Sequence, residues 1–270
     1  MLAPADILAA ARRLDEAKRT RMPIRLLSLD HPEIDIDDAY AIQQAWMDIE
    51  RARGRRVVGR KIGLTSRAMQ LAVGIDEPDW GILLDDMVFA DDGPVPCGRF
   101  IGLRVEAELA FCLDRRLVGP NVGLDDVLAA TAWISPALEI LDARVERVNE
   151  ETGRIRKVFD TISDNAANAG VVLGGLRFRP DETDLRWVGA IVSKNGRVEE
   201  TGLAAGVLDH PALGIVWLAN RLGARGVALE PGEILLAGSF VRPIEVGPGD
   251  VIVADYGRFG TVTSRFTGDA

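Results

Sequence analysis

Histidine and cysteine are both scarce in this chain of 270 residues, with two of each. Cys97 and Cys112 are too few for a secreted disulfide framework and lack C-x-x-C spacing, which fits a reducing compartment. His31 lies in a Pro-flanked loop and His210 precedes Pro211 at a helix start, so Ser-His-Asp and Cys-His nucleophilic schemes lack a base, and no G-x-S-x-G elbow occurs. Positive charge is also in short supply. Thirty-two Lys and Arg against 41 Asp and Glu give a formal charge of −9, which argues against a sequence-independent grip on nucleic acid. The acidic surplus falls after residue 61. No stretch approaches the roughly 18 consecutive apolar residues of a membrane span. The opening Met1-Leu-Ala-Pro-Ala-Asp6 has no basic region leading into an apolar one, so the expectation is a soluble, unprocessed, cytoplasmic protein with no membrane partner. Neither a phosphate loop nor a dinucleotide fingerprint is found, so no nucleotide cofactor is expected.

What the chain does have is the composition of a globular protein, 47% hydrophobic and 27% charged. Ile7, Ala11 and Leu14 recur at helical spacing and predict an amphipathic helix over 4–20. A second comes after Asp35 and Asp37, carries Ile42, Trp46 and Ile49, and is placed to end at Gly54. Residues 1–60 thus read as a helical lobe, and 61–270 as a β-rich unit. Strands are expected near 57–62, 81–89, 105–113, 134–141, 186–193, 233–240 and 250–256, with helices at about 66–73, 124–132 and 211–223. Asn195-Gly196 signals a hairpin turn. The class is α+β.

The run Arg104-Val-Glu-Ala-Glu-Leu-Ala-Phe111 is the clearest chemical feature. On a strand, Glu106 and Glu108 point to one face while Val105, Ala107, Leu109 and Phe111 point to the other. Two adjacent carboxylates need a cation, a proton or an arginine between them, although such a pair can also be a solvated sheet face. Glu139, in the apolar run Ser135-Pro-Ala-Leu-Glu-Ile-Leu141, needs a partner as well. Three carboxylates without a His or Cys cluster make an oxygen-rich site suited to Mg²⁺ or Mn²⁺ rather than Zn²⁺. Lys61, in Gly59-Arg-Lys-Ile-Gly-Leu-Thr-Ser66, reads from spacing alone as the end of a basic run in a solvated turn. Asp76-Glu-Pro-Asp-Trp-Gly81 reads as a tight loop, and Thr161-Ile-Ser-Asp-Asn-Ala-Ala-Asn168 as either a helix cap or a site-lining loop.

Together, Lys61-Ile-Gly-Leu-Thr-Ser, Asp79-Trp-Gly, Val105-Glu-Ala-Glu-Leu-Ala-Phe, Pro136-Ala-Leu-Glu-Ile and Ser163-Asp-Asn-Ala-Ala-Asn-Ala-Gly170 resemble the 2-keto-4-pentenoate hydratase family of the fumarylacetoacetate-hydrolase-like superfamily. The resemblance covers nearly the whole chain. It implies a roll of mixed, curled β-sheet with an N-terminal helical lobe, and Mg²⁺ or Mn²⁺ held by Glu106, Glu108 and Glu139. It also implies Lys61, Asp79 and Ser163 as catalytic residues, and a homo-oligomer, commonly a decamer in the family. The runs Asp160-Thr-Ile-Ser-Asp-Asn, Leu185-Arg-Trp-Val-Gly-Ala, Glu200-Thr-Gly and Ala237-Gly-Ser-Phe imply a 2-oxo dicarboxylate substrate, 2-oxohept-4-ene-1,7-dioate. Alternatives are the five-carbon 2-hydroxypenta-2,4-dienoate, decarboxylation of 4-oxalocrotonate, or service as a non-catalytic partner subunit. The superfamily's hydrolases carry a His-Glu pair in the stretch matching Thr65–Val73, which here has neither residue, so hydration is expected over C–C cleavage. Arg67, Arg144, Arg156 and Arg258 are the arginines expected to be able to meet the far carboxylate.

Overall fold

Helix α1 (Pro4–Thr20) opens on a proline in its first turn, where no backbone donor is needed, and ends on Arg21 in the left-handed conformation. After the short α2 (Leu27–Asp30), α3 (Ile36–Ala52) starts at a reciprocal cap: Asp38 N donates to Asp35 and Asp35 N to the Asp38 carboxylate. Leu14, Ile42, Trp46 and Met47 are buried in a core continuous with that of the sheets. Two buried polar side chains fasten the helices to the rest of the chain. Gln43 Nε2 donates to Trp80 O (2.9 Å) and Ile162 O (3.0 Å), and Asp160 accepts from both Ser28 N (2.8 Å) and Ser28 Oγ (2.7 Å). The structure, a computed structural model, describes residues 1–268, apart from the side chains of residues 72 and 73. Among the described residues no helix is long and apolar enough to cross a membrane.

Beyond α3 the order is β1 (Val57–Gly63), α4 (Arg67–Val73), β2 (Asp79–Leu84), β3 (Val88–Phe89), β4 (Pro94–Pro96), β5 (Arg104–Leu113), α5 (Leu124–Ala130), β6 (Thr131–Leu141), α6 (Val158–Ser163) and β7 (Asn168–Leu173). Then come β8 (Gly189–Lys194), β9 (Arg197–Leu203), α7 (Leu213–Gly223), β10 (Ile234–Leu236), β11 (Ile244–Glu245), β12 (Val251–Asp255) and β13 (Thr261–Thr267). The larger sheet runs β2-β1-β10-β5-β6-β7-β3, with β11 also paired to β5, and mixes parallel and antiparallel neighbours. The smaller runs β4-β13-β12-β8-β9, its last hairpin turning at Asn195 and Gly196, both at positive φ as a two-residue turn demands. Tyr256, just past β12, crosses between the sheets: its hydroxyl is 2.9 Å from Glu108 O on β5 and 2.8 Å from Ala137 O on β6.

The α+β class and the two long N-terminal helices agree with the sequence reading, while three strands are shorter than expected. The strand expected over 81–89 is cut by a 3-10 turn at Asp85–Met87. That over 233–240 stops at Leu236, because Gly238 turns the chain at φ 115°. Leu185–Trp187 is likewise a 3-10 turn preceding β8. The polar stretch before β7 is neither a plain cap nor a loose loop. Asn165, Ala166 and Ala167 are successive left-handed residues, and the buried Asn165 side chain stands in for a missing strand, accepting from Ile82 N (2.7 Å) and donating to Ile82 O (2.9 Å). Asn165→Ala leaves both buried Ile82 groups unpaired and should cost about 2–4 kcal/mol. Denaturant unfolding checks this, and an unchanged midpoint would contradict it.

Candidate metal centre

The site forms where the large sheet opens. β10 separates β1 from β5 for only three residues, and beyond Leu236 the chain stays against β5, Ala237 N donating to Leu109 O (3.1 Å) and the Ser239 hydroxyl to Ala107 O (3.3 Å). On β5, alternation turns Glu106 and Glu108 to this gap. On β6, Glu139 is the direct cross-strand partner of Glu106, so the two side chains share a face. Glu108 faces the small Ala137, which leaves it room. One oxygen from each of Glu106, Glu108 and Glu139 lies within 4.8 Å of the others.

Lys61, near the end of β1, is not the solvated end of a basic run: it is 5% exposed, with Nζ 3.9 Å from Glu139 and 4.0 Å from Asp79. Gly63 makes this possible, because a Cβ there would lie 2.3 Å from Asp79 Oδ1 and 2.7 Å from Lys61 Nζ. Asp79, expected in a turn, begins β2 and is buried. Gly238 contributes its N–H to Glu108 Oε2 at 2.8 Å. The opening continues into a cavity of about 580 Å³ lined by Lys61, Asp79, Glu106 and Glu108, by Leu64, Ala68, Met69 and Phe240, and by Arg156, Arg242, Glu200 and Thr201 among others. Glu139 and Ser163 do not line it; Ser163, at the end of α6, is buried with Oγ lacking a hydrogen-bond partner among the described residues.

Burial raises all three glutamates above the usual carboxylate range, and Glu139 adds to the rise at Glu106, which is pushed up to about 8, and at Glu108. Burial also raises Asp79, against the pull of Lys61 and Arg156. For Lys61, burial alone would favour the neutral amine, but Glu139, Asp79, Glu106 and Glu108 together raise it, so it stays a cation. The cluster is thus short of positive charge. Among the described residues, neither Glu139 oxygen nor Asp79 Oδ1 has a hydrogen-bond donor. Three convergent carboxylates with orphaned oxygens, and no thiolate or imidazole among the described residues of the group, fit a hard divalent cation.

Of the four arginines expected as partners of a distal carboxylate, only Arg156 lines this cavity. Arg144 is committed to Asp164 (Nε to Oδ1, 2.5 Å) and to backbone carbonyls; Arg258 lies over the Phe259 ring in a separate groove; Arg67 is exposed on α4. Arg242, paired with Glu200 at the cavity wall, is a residue the sequence reading does not single out, and so is Tyr256. Neither belongs to a recognisable motif, and their positions follow from how the small sheet packs. Gly63→Ala should keep the fold but displace Lys61 and Asp79. An offset near 1 Å lowers kcat about 10²-fold, so kcat beside an unchanged melting temperature is the check, and full activity would show that the pair tolerates the methyl group.

No protein-family model matches the chain. Whole-length relatives do: it is 38% identical over 257 residues to the 2-keto-4-pentenoate hydratase of Paraburkholderia xenovorans, covering 95% of this chain and 93% of the relative. It is also similar to the structure of 4-oxalocrotonate decarboxylase from Pseudomonas putida G7 complexed with magnesium and adipate, with a TM-score of 0.93, 34% identity and coverage of 98% and 99%. The chain belongs to the 2-keto-4-pentenoate hydratase family, metal-dependent enzymes of the fumarylacetoacetate-hydrolase-like fold. Within that family it is 56% identical over 256 residues to the 2-oxo-hept-4-ene-1,7-dioate hydratase of Escherichia coli, covering 95% of this chain and 96% of the relative.

Proposed function

We propose that the protein adds water to 2-oxohept-4-ene-1,7-dioate, giving 4-hydroxy-2-oxoheptanedioate, with Mg²⁺ or Mn²⁺ bound by Glu106, Glu108 and Glu139. The observation that carries this reading is the carboxylate triad, Glu106 half-buried and Glu108 and Glu139 buried, beside the Lys61 and Asp79 pair at one end of a cavity. The 56% identity to a hydratase of that substrate supports the choice of acid. A bound divalent cation supplies positive charge for the negative charge that develops on the C2 oxygen of a 2-oxo acid.

Lys61, held cationic by its four acidic neighbours, adds a second positive charge beside that oxygen. Asp79, raised by burial and with Oδ1 free of donors among the described residues, is the proton carrier. In the first stage it takes a proton from C3 and delivers one to C5, moving the double bond from C4–C5 to C3–C4, into conjugation with the ketone. In the second it takes a proton from water as the water oxygen bonds C4, and returns one to C3. Water and alkene are consumed, and one hydroxyl and one C–H bond are gained. Ser163, buried with an unpartnered Oγ and outside the cavity lining, acts as a positioning residue for the wall rather than by touching substrate. Leu64, Met69 and Phe240 give the cavity an apolar wall beside these polar groups.

The same reading takes residues 1–60 as a lobe attached to a catalytic unit of 61–270, in a soluble homo-oligomer of the cytoplasm. Exposed Trp187, Ile191 and Val198 on and beside the small sheet support self-association, which light scattering tests. The enzymatic test follows the ultraviolet absorbance of 2-oxohept-4-ene-1,7-dioate with Mg²⁺ and then with excess chelator. Chelator-sensitive loss of absorbance, faster than with the five-carbon dienoate, is expected. Turnover of the five-carbon acid alone would move the substrate. No turnover of either would favour decarboxylation or a partner-subunit role.

A further inference from the structure

Arg156 stands at the end of a short hairpin closed by the pairing of Val148 with Ile155, its own N–H bonded to Arg147 O at 3.0 Å. It lines the cavity, yet among the described residues it has no ion pair, and Nη1 is buried with no hydrogen-bond partner. The acids around it are already engaged. Asp164 accepts from Arg144 N and Nε and from Val145 N, and Asp160 accepts from Ser28 N, Ser28 Oγ and Lys157 N. The neighbouring cations are engaged too: Arg144 with Asp164, Arg104 with Glu245, and Arg147 with Gly102 O. Asp79 is the remaining acid that feels Arg156, and it is the partner of Lys61.

Arg156 is half-buried with Nη1 shielded from solvent, and a guanidinium cannot shed its charge by losing a proton, so that unpaired nitrogen is costly unless an anion joins it. Its burial pushes the guanidinium pKa down, the direction expected of a charge short of compensation. The same cavity is lined by Lys61, Asp79, Glu106 and Glu108, where one end of a 2-oxo acid would lie, and an anion at a second point along the ligand would meet Arg156.

We propose that Arg156 pairs with the distal carboxylate of the substrate and is the residue that selects a 2-oxo dicarboxylate over a monocarboxylate of the same length. This rests on the reading of the triad as the place where the 2-oxo acid end is held. The guanidinium edge offers two parallel N–H donors to a carboxylate, a geometry that a lysine lacks.

The test uses two unreactive acids of equal chain length, 2-oxoheptanedioate and 2-oxoheptanoate, titrated calorimetrically into the Mg²⁺-loaded protein, together with turnover of the seven-carbon and five-carbon enoates. The wild-type protein should bind the diacid about 10- to 100-fold more tightly than the monoacid, the range expected for a charge-assisted hydrogen-bonded pair. Arg156→Met should abolish that ratio and raise KM for the seven-carbon substrate by a similar factor, well beyond any change in KM for the five-carbon substrate. Arg156→Lys should restore part of the ratio. Equal wild-type affinity for the two acids would overturn the proposal whether or not a variant folds, and so would a ratio that survives in folded Arg156→Met. Wild-type protein that prefers the diacid yet hydrates neither enoate would refute the hydratase reading while leaving Arg156 as the carboxylate anchor.

Discussion

Glu106→Gln is expected to lower metal-dependent turnover by at least about 10²-fold while making the metal-free protein more stable. The two effects have opposite signs for one reason. Without a cation, Glu106 is held near Glu139 and Glu108 in a site that burial already makes unfavourable for charge, and its pKa is pushed up to about 8. An amide of the same shape removes that repulsion, and with it one of the three carboxylates proposed to hold the metal. A group whose folded pKa exceeds its unfolded one, near 4.5, stabilises the fold fully below the lower value and ceases to do so as pH rises through the upper. The metal-free wild type should therefore lose stability from about pH 5 to pH 8, and the variant should lose less. Mg²⁺ should offset the loss in the wild type alone, because binding requires the deprotonated form. Thermal melting at several pH values, with chelator and with Mg²⁺, checks this. Equal melting of both proteins under every condition would rule out a charge-strained metal site.

Lys61→Met should act in the opposite direction on stability. It removes the ammonium that lies 4.0 Å from Asp79 and 3.9 Å from Glu139, and breaking a buried pair from one side costs about 3–5 kcal/mol. Turnover should fall by about 10²-fold or more, since the charge opposite the developing oxyanion goes with it. Mg²⁺ should recover part of the stability but not the rate, because a cation among the glutamates relieves Glu139 without replacing the ammonium. A melting temperature unmoved by the substitution would mean that Lys61 does not neutralise the site.

The three clustered carboxylates are legible in the sequence to different degrees. Strand alternation is a local rule, and it puts Glu106 and Glu108 on one face whatever the partner strand does. That Glu139 joins them depends on the register of β6 against β5, which no local pattern encodes, and only its anomalous charge in an apolar run marks it. Lys61 illustrates the opposite failure. Its neighbours in sequence are arginines and glycines, so a solvated turn is the natural reading, whereas its neighbours in space are acids supplied from β2, β5 and β6. The strands at 81–89 and 233–240 are shorter than their pattern predicts for a related reason. Their apolar runs are real, but Gly238 takes a backbone conformation that ends β10 early, and that interruption creates the opening in which the site lies. Arg156 is one of four equivalent arginines in the sequence. Its place in the cavity lining, which Arg67, Arg144 and Arg258 do not share, singles it out.

Tyr256 leaves the small sheet to place its hydroxyl against the carbonyls of Glu108 and Ala137, on the two strands that carry the glutamates. Local opening of β12 and β13 must then give up a buried contact to the backbone of β5 and β6. Amide protons of those two strands and of the β5–β6 ladder around Glu108 should consequently exchange with solvent as one cooperative unit, slowed further when ligand is bound. Substitutions on the outer face of the small sheet could therefore alter how long the site stays assembled without touching anything that lines it.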